Sequence, residues 1–218
     1  MFKPIRWETF ARDFLVMQVG LGLFGFAIAA MIRANLGTSS WAVLEVALAN
    51  LLGLTPGTMM VLMGALVLTG DFLLREKIGW GTLANMLSIG PWEDLALRLI
   101  PPVQGNLPLQ AAMLLAAIAV MGLASAIYIG VDAGAGPRDS MMLAIKRTTG
   151  VSLRVARGSI ELTVVTIGWL LGGPAGIGTL VFALLVGPSV QWGFKIFKIQ
   201  PHKPLEIEVQ AEIEGGAE

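Results

Sequence analysis

Two uncharged apolar runs constrain this chain more than any other feature of its sequence. The first extends from Phe14 to Ile32, and the second extends from Leu162 to Phe194, divided by a glycine-rich break at 172–176. A helix needs about 20 mostly apolar residues to cross the hydrocarbon core of a bilayer. The runs therefore predict membrane-spanning helices, one in the first run and two in the second.

The composition agrees with a membrane protein and removes several functional classes. Of 218 residues, 55% are hydrophobic and 14% are charged, whereas soluble domains carry about 25% charged residues. The formal net charge of zero argues against a nucleic-acid partner. With no cysteine and a single histidine, His202, metal sites built on these residues and a Ser-His-Asp triad are not expected. We therefore predict no metal, no cofactor and no enzymatic activity.

The sequence repeats itself at a spacing of 97 residues. Each unit contains a span, a glycine break with a short helix, a second span, and a third span that starts with Gly-x-Gly-Thr and contains Gly-Pro. Matches at one fixed offset indicate an internal structural repeat. The matched positions are Gly25 with Gly122, Gly37 with Gly134, Gly53 with Gly150, Gly79 with Gly176, Gly81 with Gly178, Thr82 with Thr179, and Gly90-Pro91 with Gly187-Pro188.

Three spans in each unit require the two units to lie in opposite orientations in the membrane. The basic residues test this independently, because cytoplasmic segments are enriched in Lys and Arg. With the N-terminus inside, 13 of the 15 basic residues fall in cytoplasmic segments, and only Arg33 and Arg98 fall outside. The sequence thus predicts an all-α membrane protein with six transmembrane helices, arranged as two inverted three-helix repeats, and with both termini in the cytoplasm. Its predicted segments are a cytoplasmic N-terminal segment (1–13), the first repeat (14–100), a linker (101–108), the inverted second repeat (109–197) and an acidic cytoplasmic tail (198–218).

A short helix follows the first span of each unit, at 41–52 and at 139–147. The inverted symmetry places the first of these at the outer face and the second at the inner face. If both helices re-enter the membrane, their glycine-rich starts meet near the midplane, where inverted-repeat transporters bind their substrates. The alternative is a pair of amphipathic helices that lie flat at the interface, which would suit Lys146 and Arg147. The sequence leaves both arrangements open.

The break from Gly134 to Asp139 has the clearest functional character. Its glycines permit close backbone approach, and the helix that opens after Gly136 directs free N–H groups toward whatever faces it. On the following helix, Glu161 lies four residues after Arg157, so an ion pair on one helix face is expected. This pair either neutralises charge near the interface or, together with Arg138, holds an anionic group while Glu161 or Asp139 exchanges protons.

The equivalent break in the first unit supplies the opposite side of the predicted site. Glu45 follows it on the short helix and has no basic residue nearby in sequence except Arg33 across the turn. Ionisable groups inside a membrane are costly and are usually functional. The candidate substrate-binding residues are Gly134, Gly136, Pro137, Arg138, Asp139, Arg157, Glu161, Gly37, Ser39, Ser40, Trp41 and Glu45.

These stretches resemble the YczE branch of the YczE/YitT-type bacterial membrane proteins. The resemblance is carried by 34–41, by Gly134–Asp139, by Arg157-x-x-x-Glu161 and by Gly172-Gly173-x-x-Gly176-x-Gly178-Thr179, and it extends over residues 12–195. Ser40 departs from the pattern, in which a proline precedes the tryptophan. The resemblance implies a multi-pass protein of the bacterial cytoplasmic membrane and supplies no substrate.

Two functions are consistent with this architecture. The first is a secondary permease or exporter that binds a small anionic or polar solute at the central breaks and works by rocking one unit against the other. The second is a non-transporting scaffold or accessory protein that docks a cytoplasmic partner through its basic inner loops. The expected partners are the lipid bilayer and a small solute, without nucleic acid, and the glycine-rich helix faces are suited to a homodimer.

Overall fold

The computed structural model describes residues 5–74, 76, 78–134 and 136–199. Residues 1–4 of the predicted N-terminal segment and residues 200–218 of the predicted acidic tail lie outside the described residues. Within the described ranges the chain forms eight α-helices. They are α1 (Phe10–Ala34), α2 (Ser40–Leu52), α3 (Pro56–Leu73), α4 (Trp80–Leu99), α5 (Leu107–Gly130), α6 (Pro137–Thr149), α7 (Leu153–Leu170) and α8 (Ile177–Ile196).

Four of the described helices are long and apolar enough to cross a membrane: α1, α3, α5 and α8. The prediction of an all-α membrane protein is therefore confirmed at this level. The remaining long helices, α4 and α7, contain 20 and 18 residues and carry several charged side chains. At 1.5 Å per residue their lengths are about 30 and 27 Å.

The 97-residue spacing of the sequence recurs in the helix bounds. Adding 97 to the bounds of α2, α3 and α4 gives those of α6, α7 and α8, and α5 starts 97 residues after α1. The residues that end and start these helices explain the match. Gly53 and Gly150 both adopt the left-handed conformation that closes a helix, and the side chains of Thr55 and Ser152 cap the helices that follow.

The two halves of the chain interlock through the packing of their helices. α1 and α5 form the central pair, α4 packs against α1, and α8 packs against α5. The short helices cross between the halves, because α2 packs against α7 and α6 packs against α3. The core around the central pair contains Met17, Leu21, Ile28, Leu114 and Ile118.

Two reciprocal backbone joints fix the start of α4 and the start of α8. The Gly81 amide donates to the Ala133 carbonyl at 3.0 Å, and the Gly178 amide donates to the Leu36 carbonyl at 2.7 Å. These two bonds are related by the 97-residue offset. A Cβ on Gly79 would lie 2.0 Å from the same Ala133 oxygen, so only glycine permits this approach. The Gly-x-Gly-Thr starts thus allow close packing of α4 and α8 against the segments that follow α5 and α1.

The two halves differ where the third helix of each meets the fourth. α3 lies so close to α4 that a Cβ on Gly90 would be 2.2 Å from the Gly57 carbonyl oxygen. Asp94 strengthens this contact by accepting a hydrogen bond from the Gly57 amide at 2.9 Å. α7 and α8 stay apart, and no described residue comes within 4 Å of a Cβ built on Gly187, the counterpart of Gly90. Arg154 replaces Gly57 on this face of α7.

Two helix boundaries differ from those that the sequence predicts. The apolar stretch from Gly79 to Trp92, followed by the charges of Glu93, Asp94 and Arg98, predicts a helix that ends at the membrane interface near Trp92. Instead, α4 continues through Pro91 to Leu99, and Glu93 is only 1% exposed. The pattern of Gly-Pro followed by charges looks like a helix end, but here it is a proline inside a helix followed by a buried carboxylate. α1 starts at Phe10, four residues before the predicted span.

Candidate functional site

A cavity of about 220 Å³ lies between the two halves and is lined by residues from all eight helices. Much of the lining comes as pairs of residues that are 97 positions apart, so the cavity sits where the halves meet. Such pairs are Phe24 with Met121, Ile28 with Ser125, Trp41 with Arg138, Met60 with Arg157, Gly64 with Glu161, and Asn85 with Phe182.

One end of the cavity breaks this pairing. Tyr128, Ile129, Asp139, Met142 and Val190 line it from the second half, but their first-half counterparts do not. Four of these counterparts are almost fully buried. The cavity therefore extends toward the second half, where α7 and α8 are apart, and the equivalent end in the first half is sealed. The buried counterparts are Met31, Ala42, Glu45 and Glu93.

Arg138 joins the two halves at the centre of the site. Its guanidinium donates to the Glu45 carboxylate and lies over the Trp41 ring, with Cζ 4.4 Å from the ring centroid. The starts of α2 and α6 thus meet inside the bundle. The suggested partner of Glu45, Arg33, instead donates to the Leu97 carbonyl. A cation on an aromatic face and an ion pair together fix the guanidinium in one position.

The predicted pair on α7 is confirmed. Arg157 Nε donates to Glu161 Oε1 at 2.9 Å, and both side chains line the cavity. The Arg157 side chain is 53% exposed and that of Glu161 28%, so the pair lies in the open part of the site. The counterpart positions on α3 are Met60 and Gly64, which means that the two halves differ most in polarity on this face.

Asp139 is the unpaired charge of the cavity. It is exposed to the cavity, and it accepts no hydrogen bond from any described residue. It lies within electrostatic range of both Arg138 and Arg157. However, each of these guanidiniums already pairs with its own glutamate. The site thus contains two basic and three acidic side chains, which leaves one carboxylate in excess.

Behind Arg138, the site continues into a buried acidic pair that does not line the cavity. Glu45 and Glu93 are each 1% exposed, and Oε2 of each accepts no hydrogen bond from the described residues. The two carboxylates lie within electrostatic range of each other. Among the described residues, no group of three or more His, Cys, Asp or Glu side chains is arranged to hold a metal ion.

Comparison with known proteins shows the family of this chain. Residues 11–195 match the model of DUF6198, a family of unknown function. The chain belongs to the DUF6198 family. It is 31% identical over 186 residues to the uncharacterized membrane protein YczE of Bacillus subtilis, covering 84% of this chain and 82% of YczE. The resemblance to the YczE branch is therefore confirmed.

Two further relatives span most of the DUF6198 chain. An uncharacterized protein of Haemophilus influenzae is 29% identical over 202 residues, which cover 92% of this chain and 91% of that protein. The uncharacterized protein YyaS of Bacillus subtilis is 26% identical over 178 residues, which cover 80% and 88% of the two chains. No solved structure matches the chain.

Nine of the twelve residues that the sequence singles out in this DUF6198 member line the cavity. Glu45 lies behind it, and Gly37 and Gly134 belong to the backbone joints, where a Cβ on Gly37 would meet Thr179 Oγ1 at 2.7 Å. The nine lining residues are Ser39, Ser40, Trp41, Gly136, Pro137, Arg138, Asp139, Arg157 and Glu161.

Sequence reasoning missed the apolar walls and the second buried acid. Phe24, Tyr128 and Phe182 carry no local signal, because aromatic residues inside apolar spans are most simply read as core. Asn85 does carry a local signal, since an amide in an apolar span needs a hydrogen-bonding partner or water. Glu93 offers no local signal, because its burial depends on packing against another helix.

Proposed function

We propose that the chain is a secondary permease of the bacterial cytoplasmic membrane, built from two inverted three-span repeats. The support for six spans comes from the matching helix bounds. α4 is the counterpart of α8 and α7 is the counterpart of α3, and both α8 and α3 are apolar enough to cross a membrane. The charges of α4 and α7 do not oppose this, because Glu93 is buried and the Arg157–Glu161 pair faces the cavity. The distribution of Lys and Arg in the sequence supports a topology with both termini in the cytoplasm.

The observation that carries the proposal is the asymmetry of the central cavity. It is built around paired positions of the two halves, yet it is open at the end in the second half and sealed at the end in the first. In inverted repeats, this is the arrangement expected of one of two exchanging states, with the substrate site at the repeat interface. The sealed end corresponds to the outer side and the open end to the cytoplasmic side. The short helices α2 and α6 are then re-entrant, with their starts at the midplane.

The charges of the cavity favour a cationic solute over the anion considered from the sequence. An anion is bound best by an uncompensated positive charge, but Arg138 and Arg157 are both paired with glutamates. Asp139 remains to bind a positively charged amine. The apolar walls, with Phe24 and Phe182, suit a small hydrocarbon frame attached to that amine. We therefore assign the substrate to the class of small organic cations.

Two probes of similar shape and opposite charge test this assignment. We expect phenethylamine to raise the thermal unfolding temperature of the purified protein, and phenylpropionate to leave it unchanged, because a ligand that binds only the folded state stabilises it. At a hundredfold excess over Kd the gain is about 2.7 kcal/mol. Asp139→Asn should remove most of the shift, whereas Asp94→Asn, which alters a carboxylate outside the cavity, should retain it.

Uptake of radiolabelled phenethylamine into proteoliposomes separates binding from transport. Faster uptake than into empty vesicles, lost in Asp139→Asn, is the expected result. Stabilisation by phenylpropionate and not by phenethylamine would show that the site binds anions. If neither probe stabilises the protein or crosses with it, the permease proposal fails, and the scaffold function becomes the better account of the basic inner loops.

A further inference from the structure

Glu45 and Glu93 are two buried carboxylates next to the proposed substrate site that this site does not use. Both side chains are buried, and each keeps one carboxylate oxygen that no described residue bonds. An ionised carboxylate in such surroundings is unfavourable unless a partner or a proton neutralises it. Arg138 supplies a single positive charge, which is already directed at Glu45.

The two carboxylates of the pair and the single guanidinium near them leave a deficit of one positive charge. That guanidinium is Arg138 of α6, and Asp94 adds a further carboxylate from α4 itself. Asp94 is held by the start of α3, through the Gly57 amide. On α1, Arg33 is directed to a carbonyl of α4 one turn further on. Two neighbouring carboxylates with one guanidinium become neutral when they share one proton, and they then titrate as a unit.

The 97-residue repeat indicates where this pair would lie in the second state of the proposed permease, in which the open and sealed ends of the cavity are exchanged. The counterparts of Glu45 and Glu93 are Met142 and Val190, which line the open end of the cavity. When the open and sealed ends exchange, Glu45 and Glu93 take the place of these two residues and face a cavity on the opposite side. Their burial in this structure is thus a property of one state of the protein.

We propose that Glu45 and Glu93 form a proton-binding site, sealed in this structure, which opens to the outer side when α3 separates from α4. This inference rests on the proposed permease function and adds its coupling ion. The proton comes from water on the outer side, binds a carboxylate oxygen of the pair to give a neutral carboxylic acid, and returns to water on release. A proton suits the site better than a hydrated metal ion, because neither carboxylate borders the cavity here.

Infrared spectroscopy of the purified full chain tests the site without any substrate. A protonated carboxylic acid has a C=O stretching band that a carboxylate lacks. The measurement uses an Asp71→Asn background, because Asp71 is another buried carboxyl without a hydrogen bond. In this background we expect such a band at neutral pH, its loss as the pH is raised, and its absence when Glu93→Gln or Glu45→Gln is added. Glu161→Gln, which alters a partly exposed and ion-paired glutamate, should retain the band. If the band is missing in the Asp71→Asn background, or persists there in both variants of the pair, the site is disproved.

Labelling of a single cysteine tests whether the proton controls exposure. Ala42→Cys introduces a thiol at the sealed end, in a chain whose sequence has no other cysteine. Every thiol reacts faster as the pH rises, because the thiolate is the nucleophile, so each rate is divided by that of the same cysteine in the Glu93→Gln variant. A charged pair favours exposure and a neutral pair favours burial, so this ratio for a membrane-impermeant reagent should increase severalfold as the pH rises.

The two tests fail in different ways. An infrared band that depends on the pair, combined with labelling that ignores pH, would overturn proton coupling and leave the permease proposal standing. Both signals present, with no binding or uptake of the amine probe, would keep the proton site and overturn the substrate class. A labelling response to sodium ions at constant pH, without the infrared band, would replace the proton by a metal cation.

Discussion

At the scale of single residues, the contact between Arg138 and Glu45 determines how the two halves are held together. Arg138→Ala leaves the Glu45 carboxylate buried without its cation. Loss of one partner of a buried ion pair costs about 3–5 kcal/mol, so we expect a marked decrease in the thermal unfolding temperature in detergent. Adding Glu45→Gln to this variant removes the uncompensated charge and should restore part of the loss. Additive effects of the two substitutions would show that the residues do not stabilise each other.

The same residues show how far the sequence could predict this site. Arg157 and Glu161 are one helical turn apart, and local spacing is enough to pair them. Arg138 and Glu45 are 93 residues apart, and their pairing depends on how α2 and α6 cross. Glycines, prolines and caps define the helix bounds because they act locally. The burial of Glu93 could not be predicted, since it depends on packing against another helix.

At the scale of helices, Gly90 and Gly187 form a matched pair, because both precede a proline within a helix and they occupy equivalent positions. Gly90→Ala places a methyl group 2.2 Å from the Gly57 carbonyl oxygen. Such overpacking costs about 1–3 kcal/mol and should lower the unfolding temperature. Gly187→Ala meets open space among the described residues, and the higher helix propensity of alanine should keep stability equal or raise it by up to about 1 kcal/mol. Equal destabilisation by both would mean that α7 and α8 pack as α3 and α4 do.

The α3–α4 pair packs more closely than the α7–α8 pair, and the residues on one face of α3 and of α7 differ accordingly. On α3 the face toward α4 presents Gly57 and Gly64, which permit close contact. On α7 the equivalent positions are Arg154 and Glu161, which lack the free space that glycine leaves for a neighbouring helix. Duplicated helices with identical bounds therefore produce unequal packing. The repeat is visible in the sequence, whereas the end of the cavity that is open in this structure is visible only in the packing of the helices.

At the scale of the whole molecule, the proposed inverted topology predicts that the two ends of the cavity are reached from opposite sides of the membrane. Asp139→Cys places a thiol at the open end, and Ala42→Cys places one at its sealed counterpart. A membrane-impermeant thiol reagent should label the first from the cytoplasmic side, in inside-out vesicles. The second should be labelled from outside, in intact cells, and more slowly, because it is exposed only when the ends exchange.

Gly187→Ala tests whether the open and sealed ends of the cavity exchange. Closing the cytoplasmic end requires α8 to approach α7, and a methyl group at this position obstructs that approach. The variant should slow the labelling of Ala42→Cys from outside by severalfold, and the labelling of Asp139→Cys from inside should persist. Labelling of both positions from one side would contradict inverted repeats. If Gly187→Ala left the outside rate unchanged, the separation of α7 and α8 would be a fixed difference between the halves and not one state of a moving molecule.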